Sequence, residues 1–277
     1  YVYNIAKKDG LILLCGSGAV NMNSLLQLKG CEFDLNKMPM ILSGPSVIIQ
    51  FIKPDLMSDF KDIFNKEVMI FGSQPPGSGH STTFILVKEL LKFKTKKMIL
   101  AYAGGGEARR AFLAGEINAT GDDILSYTAQ IMPLEKRGEI KYLWQTGTID
   151  EMGNVVRVDP PLGHIPTVYD RYVEIYGNPP SGIIWEALKT TIGAVAVFNK
   201  SLAFPPGTPS GIVDIAADSC EKIVKNPQFI TDADAKLKCM FMAGNQMKKI
   251  YEKIMLRANA EAISWLKTFL REKWGVE

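Results

Sequence analysis

The chain has 277 residues, 47% of them hydrophobic and 22% charged, which is enough for one large core or two smaller lobes in a globular protein. A net charge of +3, with no basic cluster larger than "KTKK" (Lys94–Lys97), excludes a nucleic-acid-binding surface. The longest apolar run, Met38–Ile52, is broken by Pro39, Gly44 and Pro45, which excludes a continuous membrane-spanning helix of about 20 residues.

Cys15, Cys31, Cys220 and Cys239 show no CxxC spacing, and His80 and His164 are the only histidines, so neither a metal site nor a cofactor is expected. Buried free thiols are one reading, and a Cys220–Cys239 pair in an oxidising compartment is another. The opening "YVYNIAKKDG" has no leader pattern, so it does not give the compartment.

In chain order, short apolar runs alternate with helix-period segments, the pattern of α/β units with largely parallel sheets. Gly10–Gly18 reads as a strand ending in a tight turn. "MPMILSG" and "SVIIQFI" read as two strands, and Glu67–Gln74 as a fourth. The turn "SQPPGSGHS" then opens a helix. "KKMILA", a helix over Glu107–Ala114 bounded by glycines, and the strand "EINATGDD" follow. "EIKYLWQTG" and "IGAVAVFNK" read as later strands, "FPPGTPSGIVDI" as a helix start, and Gln246–Trp274 as one long amphipathic helix.

Three turns, "CGSGAVN", "SQPPGSGHSTT" and "YAGGGEA", follow strands and are rich in glycine or hydroxyls. Ligands of open α/β sheets sit beyond strand C-terminal ends. A helix starting there presents unpaired N–H groups and the positive end of its dipole. Singly, each turn is an ordinary cap; three together point to an anion pocket. Signals for catalysis are thin. "GSGHS" is not a GxSxG elbow, and adjacent His80 and Ser81 point about 100° apart on a helix. There is no phosphate-binding loop with its lysine, and neighbouring Asp122 and Asp123 face opposite sides of a strand.

In this order, "LLCGSGAVN", "MILSGPSVIIQF", "MIFGSQPPGSGHS", "AYAGGGEARRAFLAGEINATGDD", "GHIPTVYDRY" and "FPPGTPSGIVDI" resemble the successive motifs of the tripartite tricarboxylate transporter solute-binding proteins, the Bug family. The resemblance covers nearly the whole chain. It implies a two-lobed periplasmic-binding-protein fold of type II-like α/β form, each lobe a mainly parallel sheet flanked by helices, with the ligand cleft between them. Residues 1–74 plus 198–277 would form lobe 1, and 75–197 lobe 2.

The implied function is extracytoplasmic or periplasmic capture of a small organic carboxylate by a monomer, without catalysis or cofactor, and delivery to the transporter's permease subunits. By motif position the implied ligand-binding residues are Ser17, Gly18, Ser78, Gly79, His80, Ser81, Gly104, Gly105 and Asp122. Asp122 would orient the pocket or accept from a ligand hydroxyl or amine. The strand, loop and helix with which the family begins have no counterpart in the 277 residues, which implies a chain truncated at its N-terminus. Ala103 stands where the family has lysine, and Glu107, where it has proline, competes with an anion for the same N–H groups. Two alternatives stand beside this reading: a hydrolase or transferase using Ser81 or Asp122, and a sensor that does not transport.

Overall fold

The computed structural model describes residues 1–65, 67–237, 239–256 and 259–276; the side chains of Gln246, Ile254 and Leu256 lie outside that description. The chain begins with β1 (Leu14–Gly16), α1 (Gly18–Leu26) and β2 (Met40–Gly44), then turns a short corner into β3 (Ile48–Ile52). After the short α2 (Asp62–Asn65) come β4 (Ile70–Ser73), α3 (Gly79–Leu91), β5 (Lys97–Leu100), α4 (Gly105–Ala114) and β6 (Ala119–Asp123). Then follow α5 (Met132–Lys136), β7 (Lys141–Gln145), the hairpin β8 (Thr148–Ile149) and β9 (Val155–Val156), α6 (Val168–Tyr176) and α7 (Ile183–Ile192). The chain continues through β10 (Lys200–Ala203), α8 (Ser210–Ile223), α9 (Pro227–Leu237), β11 (Met242–Ala243), α10 (Gly244–Tyr251) and α11 (Ala260–Trp274).

The two main sheets are built differently. One has the order β1-β10-β2-β11, with every neighbouring pair antiparallel. The other has the order β5-β4-β6-β3-β7; β4 runs parallel to β5 and β6, while β3 runs antiparallel to β6 and β7. The mainly parallel sheets expected from strand–helix alternation are therefore confined to β5-β4-β6. Alternation implies parallel pairing only where a helix crosses back over the same sheet. Here the chain leaves one sheet for the other between β2 and β3, and alternation carries no record of that.

All five residues of β3 are buried, because both faces of its sheet are covered. On one face Trp144, Phe84 and Phe93 pack with Trp185, Leu188 and Ile192 of α7 and with Leu266 and Leu270 of α11. On the other, Phe51 meets Phe112 edge-on at 5.2 Å, beside Ile131 and Ile140. The antiparallel sheet has its own core of Ile41, Leu42, Phe204, Ala217 and Ala243 under α8.

The exchange between sheets falls at 44–48 and again at 197–200. The link after Gly44 is thus a crossing between sheets and not a turn within one. Likewise α11 packs along α7 and α1, so it is not confined to the antiparallel sheet.

Two further expectations change. "IGAVAV" is not a strand: α7 continues through Ile192 into a wide π-helical turn, Gly193–Val197, and the strand begins only at Lys200. The expected helix Gln246–Trp274 is two elements. Asn259 adopts an extended conformation and its side chain accepts from Ala262 N at 3.1 Å, starting α11 afresh; residues 257 and 258 of the expected helix lie outside the described residues. All four cysteines are free, and burial pushes the Cys239 thiol up to about 12. No described helix is long and apolar enough to cross a membrane.

A candidate ligand site at three helix N-termini

α1, α3 and α4 each begin a few residues after a strand, at β1, β4 and β5 respectively. The π-helical turn 193–197 brings the first two together. A Cβ on Gly18 would lie 2.8 Å from Asn199 Nδ2 and 3.0 Å from Val195 O; one on Gly79 would lie 2.5 Å from Val195 Cγ1. Only glycine lets both helix starts, one from each sheet, press on Val195 at the crossover.

The turn's carbonyls are satisfied by side chains and crossover backbone. Asn21 Nδ2 donates to Ala194 O (2.8 Å) and Phe198 O (2.6 Å), and Asn199 Nδ2 to Val195 O (2.6 Å). Ser46 N donates to Ala196 O (2.7 Å) and Ser43 Oγ to Val197 O (3.3 Å). Buried carbonyls need such partners, and these bonds hold the crossover in place.

The electrostatics of the three starts differ. α1 has no acid in its first turn, and the Ser17 side chain makes no capping bond. α3 also lacks a first-turn acid; Ser78 Oγ accepts from Ser81 N at 3.4 Å. The first-turn N–H groups of both helices are donors suited to a carboxylate, in the positive field of the helix ends.

At α4 the sequence supplies its own anion, because Glu107 Oε2 accepts from Ala103 N at 2.6 Å. Among the described residues Glu107 makes no ion pair. Gly105 sits against the Asp122 carboxylate, where a Cβ would be 2.8 Å from Oδ1.

Asp122 and Asp123 face opposite sides of β6, as adjacent strand residues must. Asp122 is buried and ion-paired with Arg109 of α4, and its Oδ1 accepts from Asp123 N at 2.9 Å. Asp123 faces α3, where His80 Nε2 lies 3.3 Å from its Oδ1 and Ser46 Oγ donates to it at 3.4 Å. Burial opposes its charged form, but the charge and hydrogen bond of His80, then Lys200 and Ser46, outweigh it and hold the carboxyl below its ordinary value.

The structure therefore places Ser17, Gly18, Ser78, Gly79 and His80 around one crossover, and Gly104, Gly105 and Asp122 at the neighbouring start of α4. Ser81 is not presented to a ligand. It is fully buried, and its hydroxyl donates to the Gln74 carbonyl. Asp122 is ion-paired with Arg109. His164 pairs with Glu135 at 3.5 Å and packs against Tyr142, so it supplies no base for Ser81. Sequence reasoning missed Asn21, Asn199, Arg109 and Ser46, whose partners lie on other elements. The only signal, two asparagines beside apolar runs, does not distinguish a turn from a carbonyl clamp.

A separate cleft of ≈ 490 Å³ lies beside the same crossover and is lined by Pro45, Val47, Ile149, Arg157, Cys239 and Phe241. Asp150, Glu151, Asp159 and Asp234 also line it, which makes it a poor host for an anion. Among the described residues no group of three or more His, Cys, Asp or Glu is placed to hold a metal ion.

No protein-family model matches the sequence, and neither does any curated protein. Solved structures do match. A TctC solute-binding protein from Polaromonas, without ligand, aligns over 96% of this chain and 80% of its own, with a TM-score of 0.66 at 14% identity. An R. palustris protein with adipate aligns over 97% and 81%, with a TM-score of 0.63 at 17% identity. MatC from Rhodopseudomonas palustris with bound malate aligns over 95% and 80%, with a TM-score of 0.58 at 15% identity.

The chain thus has the two-lobed α/β fold of the periplasmic binding proteins. Within that class its structural neighbours are the TctC/Bug-type solute-binding proteins, as the motif order implied.

Proposed function

We propose that the protein is an extracytoplasmic solute receptor. It captures a small carboxylate between its lobes and delivers it to the membrane permease of a tripartite tricarboxylate-type transporter. The lobes are 1–44 with the segment from 198 through α10, and 46–197 with α11 packed on it. The observation that carries this reading is the meeting of the uncapped start of α1 and the glycine start of α3 on Val195. One comes from each sheet, at the point where the chain crosses between them.

The mechanism is capture without chemistry. A carboxylate seated between the two helix starts accepts from their free N–H groups and from the Ser17 and Ser78 hydroxyls. Such charge-assisted bonds are roughly twice as strong as neutral ones. Bending at 44–48 and 197–200 closes the lobes over the anion and strengthens those bonds by excluding water. Ser81, which a hydrolase would need as nucleophile, has its hydroxyl committed to a backbone carbonyl. The two neighbours solved with malate and adipate hold small carboxylic acids, and that supports the same class of ligand here.

The test is thermal unfolding against a panel of mono-, di- and tricarboxylates, aromatic acids and amino acids. A ligand at 100 times its Kd adds about 2.7 kcal/mol, which raises the midpoint by roughly 5–10 °C at this chain length. A selective shift of that order identifies the ligand class, whereas a flat response across all carboxylates overturns the reading.

A further inference from the structure

We infer that Asn21 of α1 and Thr82 of α3 are positioning residues of the receptor: closure of its lobes joins the Thr82 hydroxyl to the Asn21 side-chain carbonyl. The inference rests on the receptor reading above and says what fastens the closed form.

Three observations converge on this pair. First, both residues are buried, at 2% and 0% exposure, yet Asn21 Oδ1 and Thr82 Oγ1 have no hydrogen-bond partner among the described residues. Buried polar atoms without partners are few in a native fold, and each calls for an explanation. Second, the two atoms are complementary. The Asn21 amide donates to Ala194 O and Phe198 O, so only its acceptor is left, and a threonine hydroxyl can donate to it. Buried helical threonines can give that proton to the carbonyl four residues back, as Thr83, Thr190 and Thr191 do to Gly79 O, Glu186 O and Ala187 O. Thr82 does not. Third, the two occupy the same place on their helices. Gly18 and Gly79 both abut Val195, and Asn21 and Thr82 each follow three residues later, one turn deeper on the same face. α1 also packs directly on α3.

α1 belongs to one lobe and α3 to the other. The donors of Asn21 tie it to 194–198, beside the segment about which the chain bends, so a small rotation there carries Thr82 toward a fixed acceptor. Neither atom faces solvent, so movement of the lobes, and not a ligand, brings the partner. A bond made only in the closed form favours whatever binds that form.

The test is calorimetric titration of the full chain with the acid that shifts the unfolding midpoint most, from the panel above with malate and adipate in it. Thr82→Val keeps the shape and removes the hydroxyl. It should lower affinity about three- to tenfold. Without the acid its midpoint should equal or exceed that of the wild type, because the lost hydroxyl makes no bond there. Thr82→Ser keeps the hydroxyl and should bind within about twofold of the wild type. In an Asn21→Ala background, Thr82→Val should no longer lower affinity, because the acceptor is gone.

A Thr82→Val protein that binds as tightly as the wild type overturns the inference and leaves the receptor reading standing. So does a loss of affinity that persists in the Asn21→Ala background, which would give the hydroxyl a different partner. Should Asn21→Ala fail to fold, the contrast between Thr82→Val and Thr82→Ser decides. If no acid of the panel binds the wild type, the receptor reading falls and this inference with it.

Discussion

The turns at 77–81 and 104–107 look alike in sequence, each a glycine-rich link between a strand and a helix, yet they are held by different physics. The first is held by neutral contacts: Ser78 caps Ser81 N, Ser81 donates to Gln74, and Gly79 packs on Val195. The second is held by charge: Glu107 caps Ala103 N, and Arg109 ties α4 to Asp122 of β6. A helix start leaves the same orphan donors in either case. What differs is how the turn is tied to its surroundings, by neutral contacts at α3 and by charged side chains at α4.

The largest effect expected from breaking this arrangement is at Arg109. Asp122 is almost wholly buried, its side chain 6% exposed, so Arg109→Ala leaves a carboxylate in the interior with no counter-charge. That costs about 3–5 kcal/mol, measurable as a lower midpoint in urea unfolding. The double change Arg109→Ala with Asp122→Ala should recover most of the loss, because no charge is then stranded. If the single variant is as stable as the wild type, α4 is held by packing alone and the contrast between the turns fails.

The neutral turn answers to shape instead. Gly79→Val places a branched side chain where even a Cβ would be 2.5 Å from Val195 Cγ1. The helix start must move off the π-helical turn, which costs about 1–3 kcal/mol as overpacking does. A carboxylate identified in the panel should then lose its affinity, because the donors of α1 and α3 no longer converge. The sequence alone suggests that such a change spares the fold. The contact with Val195 shows that stability and binding should fall together, and binding that survives a clear loss of stability would place the ligand elsewhere.

Much of this was legible before any coordinates. The helix starts at 18, 79 and 105 follow from glycine and serine placement after apolar runs, because capping is local chemistry. The fold class followed from the resemblance of six successive motifs to those of one family. What was not legible is what those starts meet. Gly79 and Val195 are more than a hundred residues apart, and "GAVAV" has the β-branched composition of a strand, so its π-helical turn emerges only once Asn21 and Asn199 are found capping its carbonyls. The same holds for Asp122: a buried acid at a strand end reads equally as a ligand contact or as half of an ion pair, and only the position of Arg109 distinguishes them. Strand direction was lost for a similar reason, since the three residues between β2 and β3 look like a turn while they carry the chain into a second sheet.

The smallest expected effect is also the most decisive against catalysis. Ser81→Ala removes one buried hydroxyl that donates to the Gln74 carbonyl, and leaves that acceptor to find a partner. A hydrogen bond of this kind contributes about 1 kcal/mol, so the midpoint should fall by roughly 2–4 °C. Affinity for the carboxylate should stay within about twofold of the wild type, because the Ser78 cap, the Gly79 contact and the free N–H groups of α3 are untouched. A nucleophile behaves otherwise: its removal spares stability and abolishes turnover. Following ester and amide substrates alongside the unfolding midpoint therefore separates the two roles of the same oxygen. Turnover in the wild type that disappears in the variant would make the neutral turn a catalytic one and remove the basis for contrasting it with α4.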